Sequence, residues 1–590
     1  MMKFYKVLAA AALTLGAAAA QAQTITEPQL LWAKKFCSTN TATQSMNHAV
    51  ARSTDGATYY IANSGSRTAT EDIQFGDKVI GKGVYTSGNS DNYNMVLAKV
   101  ANDGSCVWSA LSAMGDFYNN EEWVAATADG GVLVANKFRV TLGQETLPVA
   151  IVDGLGDTTK IEWEQPAQGR NYIVALMKFA SNGKLAWVRQ ANCDATASPK
   201  STKGYISDGI DVYSLAVDDN QNIYMAGRFR QNVSFLNADG SFTAITPCNT
   251  AGWTDDSQTT NGDLFVAKFD ADGYCQKTFV TIDSATYTAI KNLRIVGDEI
   301  YFDGFVKGRT INGAINPVHL GSIDLNVQNE NNGILVGKLD LDLNVLNARL
   351  FSTSYAKSAY NTTAIDVIGS DVFLTGKGTF NINFGDIALD ASSLSRDAYV
   401  VRLNSNLEPQ AAARANVVQS GYMGAFVDRS NADKLYVFGH SLMGPLFIRE
   451  YDRNTLSTEK SDWQLSSYAA AISPMLVVGD TAYIQSRFRN TVTLNESTSF
   501  TSSAFTAFAA AYKLPVKTAT GINSVVAGKA ATAVYGTKGA IVVNADEAAT
   551  VRIFNITGAQ VATVNAKAGT TTVSVPAGIY IANGTKVIVR

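Results

Sequence analysis

"LFVAKFDADGYCQKTF" (264–279) sets an apolar run ending in Ala267-Lys268 against a polar turn, Asp270-Ala271-Asp272-Gly273, and then a second run. Short apolar or alternating runs separated by Asp, Asn and Gly are the signature of paired strands. The same cadence returns as "MVLAKVANDGSCVW", "VALMKFASNGKLAW", "ILVGKLDLDLNVLN", "YVVRLNSNLEPQ" and "LFIREYDRNTLS", with a shortened copy in "FAAAYKLP". Its basic residues are Lys99, Lys178, Lys268, Lys338, Arg402, Arg449 and Lys513. A long basic side chain at the end of an apolar strand is expected to lay its stem on the core and release its charge at the strand end.

A second cadence alternates with the first. It reads "VARSTDGATYYIAN" (50–63), "VAATADGGVLVAN" (124–136), "LAVDDNQNIYMAG" (215–227), "LRIVGDEIYFDG" (293–304), "IDVIGSDVFLTG" (365–376), "FVDRSNADKLYVFG" (426–439) and "MLVVGDTAYIQS" (475–486). Each unit therefore offers two hairpins, and helical periodicity is nearly absent. Four strands repeated seven times predict an all-β chain folded as a seven-bladed β-propeller, an architecture that buries both faces of each sheet and leaves few open edges. The last copy stops at "YKLP" (512–515), before its fourth strand, and "LLWAKKF" (30–36) matches the fourth strand "KLAWVRQ" (184–190). The N-terminal strand is thus expected to complete the last blade and close the ring.

The Asp-x-x-Gly hairpins, the Ala-Lys strand and Gly-x-x-x-Trp together resemble the SBBP-type seven-bladed propeller repeats of exported bacterial proteins, over about residues 30–515. The resemblance implies a surface or secreted binding or scaffolding role, with no shared catalytic residue.

The two ends of the chain carry further meaning. "MMKFYKVLAAAALTLGAAAAQAQ" has basic Lys3 and Lys6, an apolar stretch and small residues at Ala20 and Ala22, the pattern of a secretory signal peptide over 1–22. After a propeller over 23–516 and a linker over 517–532, residues 533–590 read as short strands of a small C-terminal β-sandwich. "VRIFNITGAQV" (551–561) and "VPAGIYIANGTKVIVR" (575–590) resemble the C-terminal sorting domains of Bacteroidetes type IX secretion cargo, which implies export and attachment at the outer-membrane surface. The Pro-Asn-Pro start common in such domains is replaced here by "VYGTKG".

Composition narrows the choice of partner. The chain is 46% hydrophobic and 17% charged with a net charge of −3. No block of like charge suggests nucleic acid, and no later segment is apolar for long enough to cross a bilayer as a helix.

Catalytic and metal signatures are absent from the sequence. His48, His319 and His440 are scattered singly, without a metal-ligand spacing. Cys37, Cys106, Cys193, Cys248 and Cys275 are an odd set, read as small buried apolar residues rather than a disulfide framework. The acidic pairs Asp218-Asp219, Asp270/Asp272 and Asp340/Asp342 fall at hairpin turns, where an Asp carboxylate bonds its own backbone, although calcium also favours such oxygens. No catalytic residue, metal or cofactor is assigned.

The candidate ligand-binding residues are Trp163 and Trp253, in the polar insertions 142–171 and 245–263. Long loops on a rigid scaffold carry binding, and exposed aromatic rings stack on sugars or anchor proteins. The expected function is binding of a glycan or a protein at the cell surface. Two alternatives stay open: a polysaccharide-acting enzyme with its site in the propeller funnel, and a structural surface protein.

Overall fold

The computed structural model describes residues 27–38, 44–65, 72–82, 94–114, 116–117, 123–139, 141–142, 145–146, 149–161, 172–193, 209–230, 232–247, 262–281, 287–307, 310–311, 314–315, 317–327, 332–354, 362–394, 397–416, 421–427, 433–441, 444–458, 462–469, 471–472, 475–515, 532–545, 548–555, 559–582 and 585–590. The expected signal peptide and Trp163, Trp253 and Cys248 lie outside these residues, as does nearly all of the expected linker. The chain divides into two compact units, 1–516 and 517–590.

Among the described residues the first unit holds seven antiparallel sheets built on four-stranded meanders. Blade 1 runs Gln44–Arg52, Thr58–Gly65, Asn94–Val100, Cys106–Met114, and blade 3 runs Ile210–Val217, Ile223–Phe229, Asp263–Phe269, Cys275–Val280. Blade 2 follows the same order up to Leu185–Cys193, its first strand comprising Asp116–Phe117 and Trp123–Ala126. Blades 4, 5 and 6 begin at Tyr287–Val296, Thr362–Ile368 and Gly421–Val427. Blade 7 contains Leu476–Val478, Thr481–Thr493 and Ser499–Lys513, and its fourth strand is Gln29–Ser38 from the other end of the chain. Lys34 stands opposite Ala509 and Phe36 opposite Ala507, so the N-terminal strand closes the ring as the sequence predicts.

Seven apolar clusters fill the gaps between successive sheets, including the gap between blades 7 and 1. This is a β-propeller. Third strands show why their sequences are apolar throughout: Val96 and Ala98 pack toward blade 7, whereas Leu97 packs toward blade 2. A strand covered on both faces has no side on which to place polar residues.

Adjacent blades are keyed by a Gly–Trp contact. The turn glycines Gly104, Gly183 and Gly273 take positive φ, and a Cβ on them would come within 2.8, 2.9 and 2.6 Å of the rings of Trp32, Trp108 and Trp187 respectively. Each of these Trp residues belongs to the fourth strand of the preceding blade. Trp108 also donates its Nε1–H to the Ser181 carbonyl at 2.9 Å, in the same turn as Gly183. Where the Trp position is filled by Lys277, Asn347 or Ala411, the following turn carries buried Leu343, Leu407 or Leu456, which all keep a positive φ. A leucine there occupies volume that the indole fills elsewhere.

The repeated basic residue behaves differently from the expectation. Lys99 is buried, bonds Asp55 at 2.6 Å and donates to the carbonyls of Gly130 and Ser181 in blade 2. Lys178, Lys268, Lys338 and Arg402 pair likewise with Asp129, Asp342, Glu299 and Asp371. Their charges are neutralised in the turns instead of being released to water. Register also corrects two assignments. Lys99 stands opposite Tyr59 and Lys338 opposite Tyr301, but the matching partner of Tyr436 is Glu450, with its salt bridge running to Lys434. In blade 7 Ala511 faces Tyr483, and the cation above that ring is Arg52 of blade 1, 4.5 Å from the centroid.

Hairpins inserted between second and third strands reach back to the preceding blade. Asp72–Phe75 pairs with Gln29–Ser38, Val149–Val152 with Cys106–Met114, Val233–Leu236 with Leu185–Cys193, and Ile382–Phe384 with Val345–Thr353. Among its described residues the second unit contains two sheets, Thr532–Thr537, Ala540–Ala545, Gly569–Ser574 and Gln560–Ala566, Ala549–Asn555, Gly578–Ala582, Thr585–Val589, which share one apolar core.

The Gly–Trp key has a measurable consequence. Gly104 has φ +82° with Trp32 against it, whereas Gly240 has φ +83° and nothing within 4 Å of a built Cβ. Gly240→Ala should cost about 1 kcal/mol through backbone strain alone. Gly104→Ala should cost about 1–3 kcal/mol more through the added clash. Urea unfolding of both variants checks this, and equal losses would show that the indole contact imposes no constraint.

Candidate functional site

The first strand of each blade faces the axis of the ring. In blades 1, 3, 4, 5 and 6 this strand carries a β-bulge, with register shifts at Asn47/Ala49, Val212/Ser214, Ile290/Asn292, Thr362/Ala364 and Tyr422/Ala425. A bulge bends the strand and re-aims side chains, and it releases backbone groups from the ladder. The Leu293 N–H is donated to Ser214 Oγ in the preceding blade at 3.0 Å, and the Ala425 N–H to Asp366 Oδ2 at 2.9 Å.

Three groups of charged residues stand along these strands. In the first, Asp211 of blade 3 bonds Lys137 of blade 2 at 2.5 Å, Arg230 at 2.8 Å and Arg228. All four residues are buried. Burial alone would raise the Asp211 carboxyl, but the Arg228, Lys137 and Arg230 charges outweigh it and hold the group well below the usual carboxylate range. The Tyr213 hydroxyl donates to the same carboxylate at 3.3 Å, and Lys291 Nζ of blade 4 lies 3.3 Å from the Tyr213 ring centroid.

The second group centres on Asp303, which is fully buried. Asn292 Nδ2 donates to both of its oxygens, at 2.9 and 3.0 Å, and Thr362 Oγ1 of blade 5 donates to Oδ1 at 2.8 Å. Burial pushes the carboxyl up to about 7, against the pull of these two donors. Asp211 and Asp303 thus each tie one blade to the next.

The third group lines a cavity of about 190 Å³ bounded by blades 4 to 7. Its walls are Val367, Ile368, Phe426, Met475, Leu476 and Val477, and its polar groups are Arg294 and Asp366. Asp366 Oδ2 takes the Ala425 N–H while Oδ1 has no hydrogen-bond partner among the described residues. Burial raises this carboxyl, with the Arg294 charge and the Ala425 N–H acting the other way. Arg294 is exposed, and its guanidinium has no hydrogen-bond or ion-pair partner among the described residues.

Trp163 and Trp253 lie outside the described residues, so nothing brings them together or separates them. The insertion 142–171, expected as a long polar loop, contains the hairpin Val149–Val152 and Thr158–Ile161, with Val149, Ile151 and Ile161 buried against blade 1. "VAIVDGLGDTTKI" (149–161) carries the strand–turn–strand signal used for the blades, so this hairpin was open to the same reading.

The acidic turns do the work of turns. Asp270 Oδ1 accepts from the N–H groups of Asp272 and Tyr274, Asp340 Oδ1 from those of Asp342 and Asn344, and Asp218 Oδ1 from that of Asn222. His319 pairs with Asp324 across a short hairpin. Burial pushes the Cys275 thiol up to about 11 and raises that of Cys106, opposite to the shift a nucleophile needs. The axial residues went unmarked although each interrupts an apolar strand: Lys137 in "VLVANKFRV", Asp211 in "IDVYSLAV", Asp303 in "IYFDGFV" and Asp366 in "AIDVI".

No family model and no curated protein matches the chain. Solved structures similar to it include the quinohemoprotein alcohol dehydrogenase of Comamonas testosteroni, with TM-score 0.38, 9% identity, and coverage of 84% of this chain and 78% of that one. Drosophila semaphorin 2a gives TM-score 0.32 and 8% identity over 95% of this chain and 98% of that one. The polysaccharide lyase Uly1 gives TM-score 0.32 and 8% identity over 82% of this chain and 100% of that one. These likenesses bear on no residue or activity of the present chain.

Asp303 predicts a pH dependence. Its carboxyl sits at about 7 against an ordinary 3.8, so between these values the folded chain keeps a proton that the unfolded chain has lost. Its contribution to stability therefore falls as pH rises through that window and is flat above it. Asp303→Asn removes the titration. The unfolding free energy of the variant relative to the wild type should rise with pH across the window, as read by urea denaturation at stepped pH, and a constant difference would contradict the assignment.

Proposed function

We propose that the chain is an exported bacterial surface protein whose β-propeller is a non-catalytic scaffold binding a glycan or a protein. Support for export comes from the N-terminal pattern of Lys3, Lys6, an apolar stretch and Ala20-Gln21-Ala22. Support for surface attachment comes from the resemblance of residues 551–590 to type IX sorting domains, and the likeness of the repeats to SBBP-type propellers agrees with both.

The observation that carries the binding reading is how the axial carboxylates are used. Asp211 is bonded to three cationic side chains and Asp303 to Asn292 and Thr362, with Lys137 and Thr362 reaching them from adjacent blades. Glycoside hydrolysis calls for two carboxyl groups flanking one bond. Among the described residues lining the axial cavity, Asp366 is the one carboxyl. A single acid beside a guanidinium and apolar walls suits recognition better than hydrolysis.

The second reading, a polysaccharide-acting enzyme, is favoured by one feature: Asp366 has a raised carboxyl facing a cavity, as a general acid requires.

The test is binding of residues 23–590 to panels of glycans and surface proteins, with product analysis alongside and Trp163→Ala and Trp253→Ala as variants. Capture of a glycan or protein without cleavage is expected, and loss of about tenfold or more in either Trp variant would place the contact in the insertions. Cleavage products that disappear in Asp366→Asn would establish the enzyme instead. Silence across both panels would leave the structural surface protein.

A further inference from the structure

The axial cavity offers more than a general binding role. It has room for about six water molecules, at roughly 30 Å³ each. That is the scale of one sugar ring or one amino acid rather than a polymer segment. Four blades supply its lining through backbone stretches that the ring holds in place, so the cavity exists only in the closed propeller.

Its two polar groups are complementary to a particular ligand chemistry. Arg294 presents a planar fork of N–H donors and no acceptor, and it has no partner among the described residues. A guanidinium in this state is best satisfied by the two oxygens of a carboxylate. Asp366 is fixed by the Ala425 N–H on one oxygen, and its other oxygen is left to accept. The two side chains make no salt bridge with each other, so each remains directed to a separate group on a ligand. Between them Phe426, Met475, Leu476 and Val477 give an apolar wall suited to a carbon skeleton.

We infer that this cavity binds a small carboxylate that also carries a hydrogen-bond donor: Arg294 holds the carboxylate and Asp366 accepts from a hydroxyl or ammonium group of the same molecule. The inference rests on the binding role proposed above and names the ligand chemistry of its axial site. An acidic sugar unit and an amino acid both carry these groups.

The test is calorimetric titration of the full chain with glucuronate, glutamate and glucose, repeated with Arg294→Gln and Asp366→Asn and accompanied by thermal melts. Glucuronate or glutamate should bind in preference to glucose, and the one that binds more tightly identifies the source. Arg294→Gln should weaken that binding by about tenfold or more, because a charge-assisted hydrogen bond is lost. Its melting should change little, since the side chain it removes makes no hydrogen bond or ion pair among the described residues. Asp366→Asn keeps an acceptor for the Ala425 N–H and should weaken the ligand less.

Two results would overturn the inference: no preference for either carboxylate over glucose, or equal carboxylate binding by Arg294→Gln. Glycan or protein capture that persists unchanged in Arg294→Gln would leave the binding role standing and remove this site from it. Carboxylate binding without any glycan or protein capture would do the reverse.

Discussion

The ring depends on one antiparallel pairing between the two ends of the first unit. Gln29–Ser38 lies along Ser499–Lys513, and without it blade 7 has three strands and the clusters on either side of the seam lose Trp32, Phe36 and Leu30. A loop of more than four hundred residues separates the partners, but loop-closure entropy grows only with the logarithm of length. Main-chain hydrogen bonds and two apolar interfaces are set against that slowly rising cost. The contact of Trp32 with Gly104 repeats at the seam the key used inside the ring.

That key explains how the repeat diverges without losing its shape. A turn residue with positive φ meets the fourth strand of the preceding blade, and the pair is either Gly with Trp or Leu with a residue other than Trp. The leucines Leu343, Leu407 and Leu456 accept a backbone conformation disfavoured for their type, in exchange for buried apolar contact. The charged contacts diverge in the same compensated way. Blade 6 reverses the polarity of its pair through Glu450 and Lys434, and blade 7 takes its cation from Arg52 of the neighbouring blade. What blades 1 to 6 preserve is a neutralised charge on the third strand, beside a second-strand ring except in blade 2, where Lys178 faces Leu133.

Toward the axis the same logic of compensated contacts joins one blade to the next. Bulges free backbone N–H groups that the sheets do not use, and these are taken up by Ser214 and Asp366 of preceding blades. Asp211 and Asp303 serve as inter-blade ties, the first as a buried charge met by three cations and the second as a carboxyl that burial pushes up to about 7. Arg294 departs from this pattern, since its guanidinium makes no hydrogen bond or ion pair among the described residues. The contrast between the bonded Asp211 and Asp303 and the unbonded Arg294 is what sets the proposed site apart from the rest of the axis.

The sequence by itself determined the local units: alternating apolar runs and Asp-x-x-Gly turns specify hairpins, their repetition specifies like sheets, and the truncated last copy beside "LLWAKKF" specifies closure. These are legible because strand period, turn chemistry and the count of strands are local properties. The hairpin at 149–161 was legible by the same signal. Tertiary structure alone decided the rest. A bulge shifts register without a residue type that announces it, so the placement of Arg294 beside Asp366 cannot be read from "LRIVG" and "AIDVI". Nor does an acid within an apolar strand say whether cations of its own and the preceding blade will meet it, as they meet Asp211, or whether a cavity will, as at Asp366. Those outcomes depend on residues distant in sequence that only the closed ring brings to one axis.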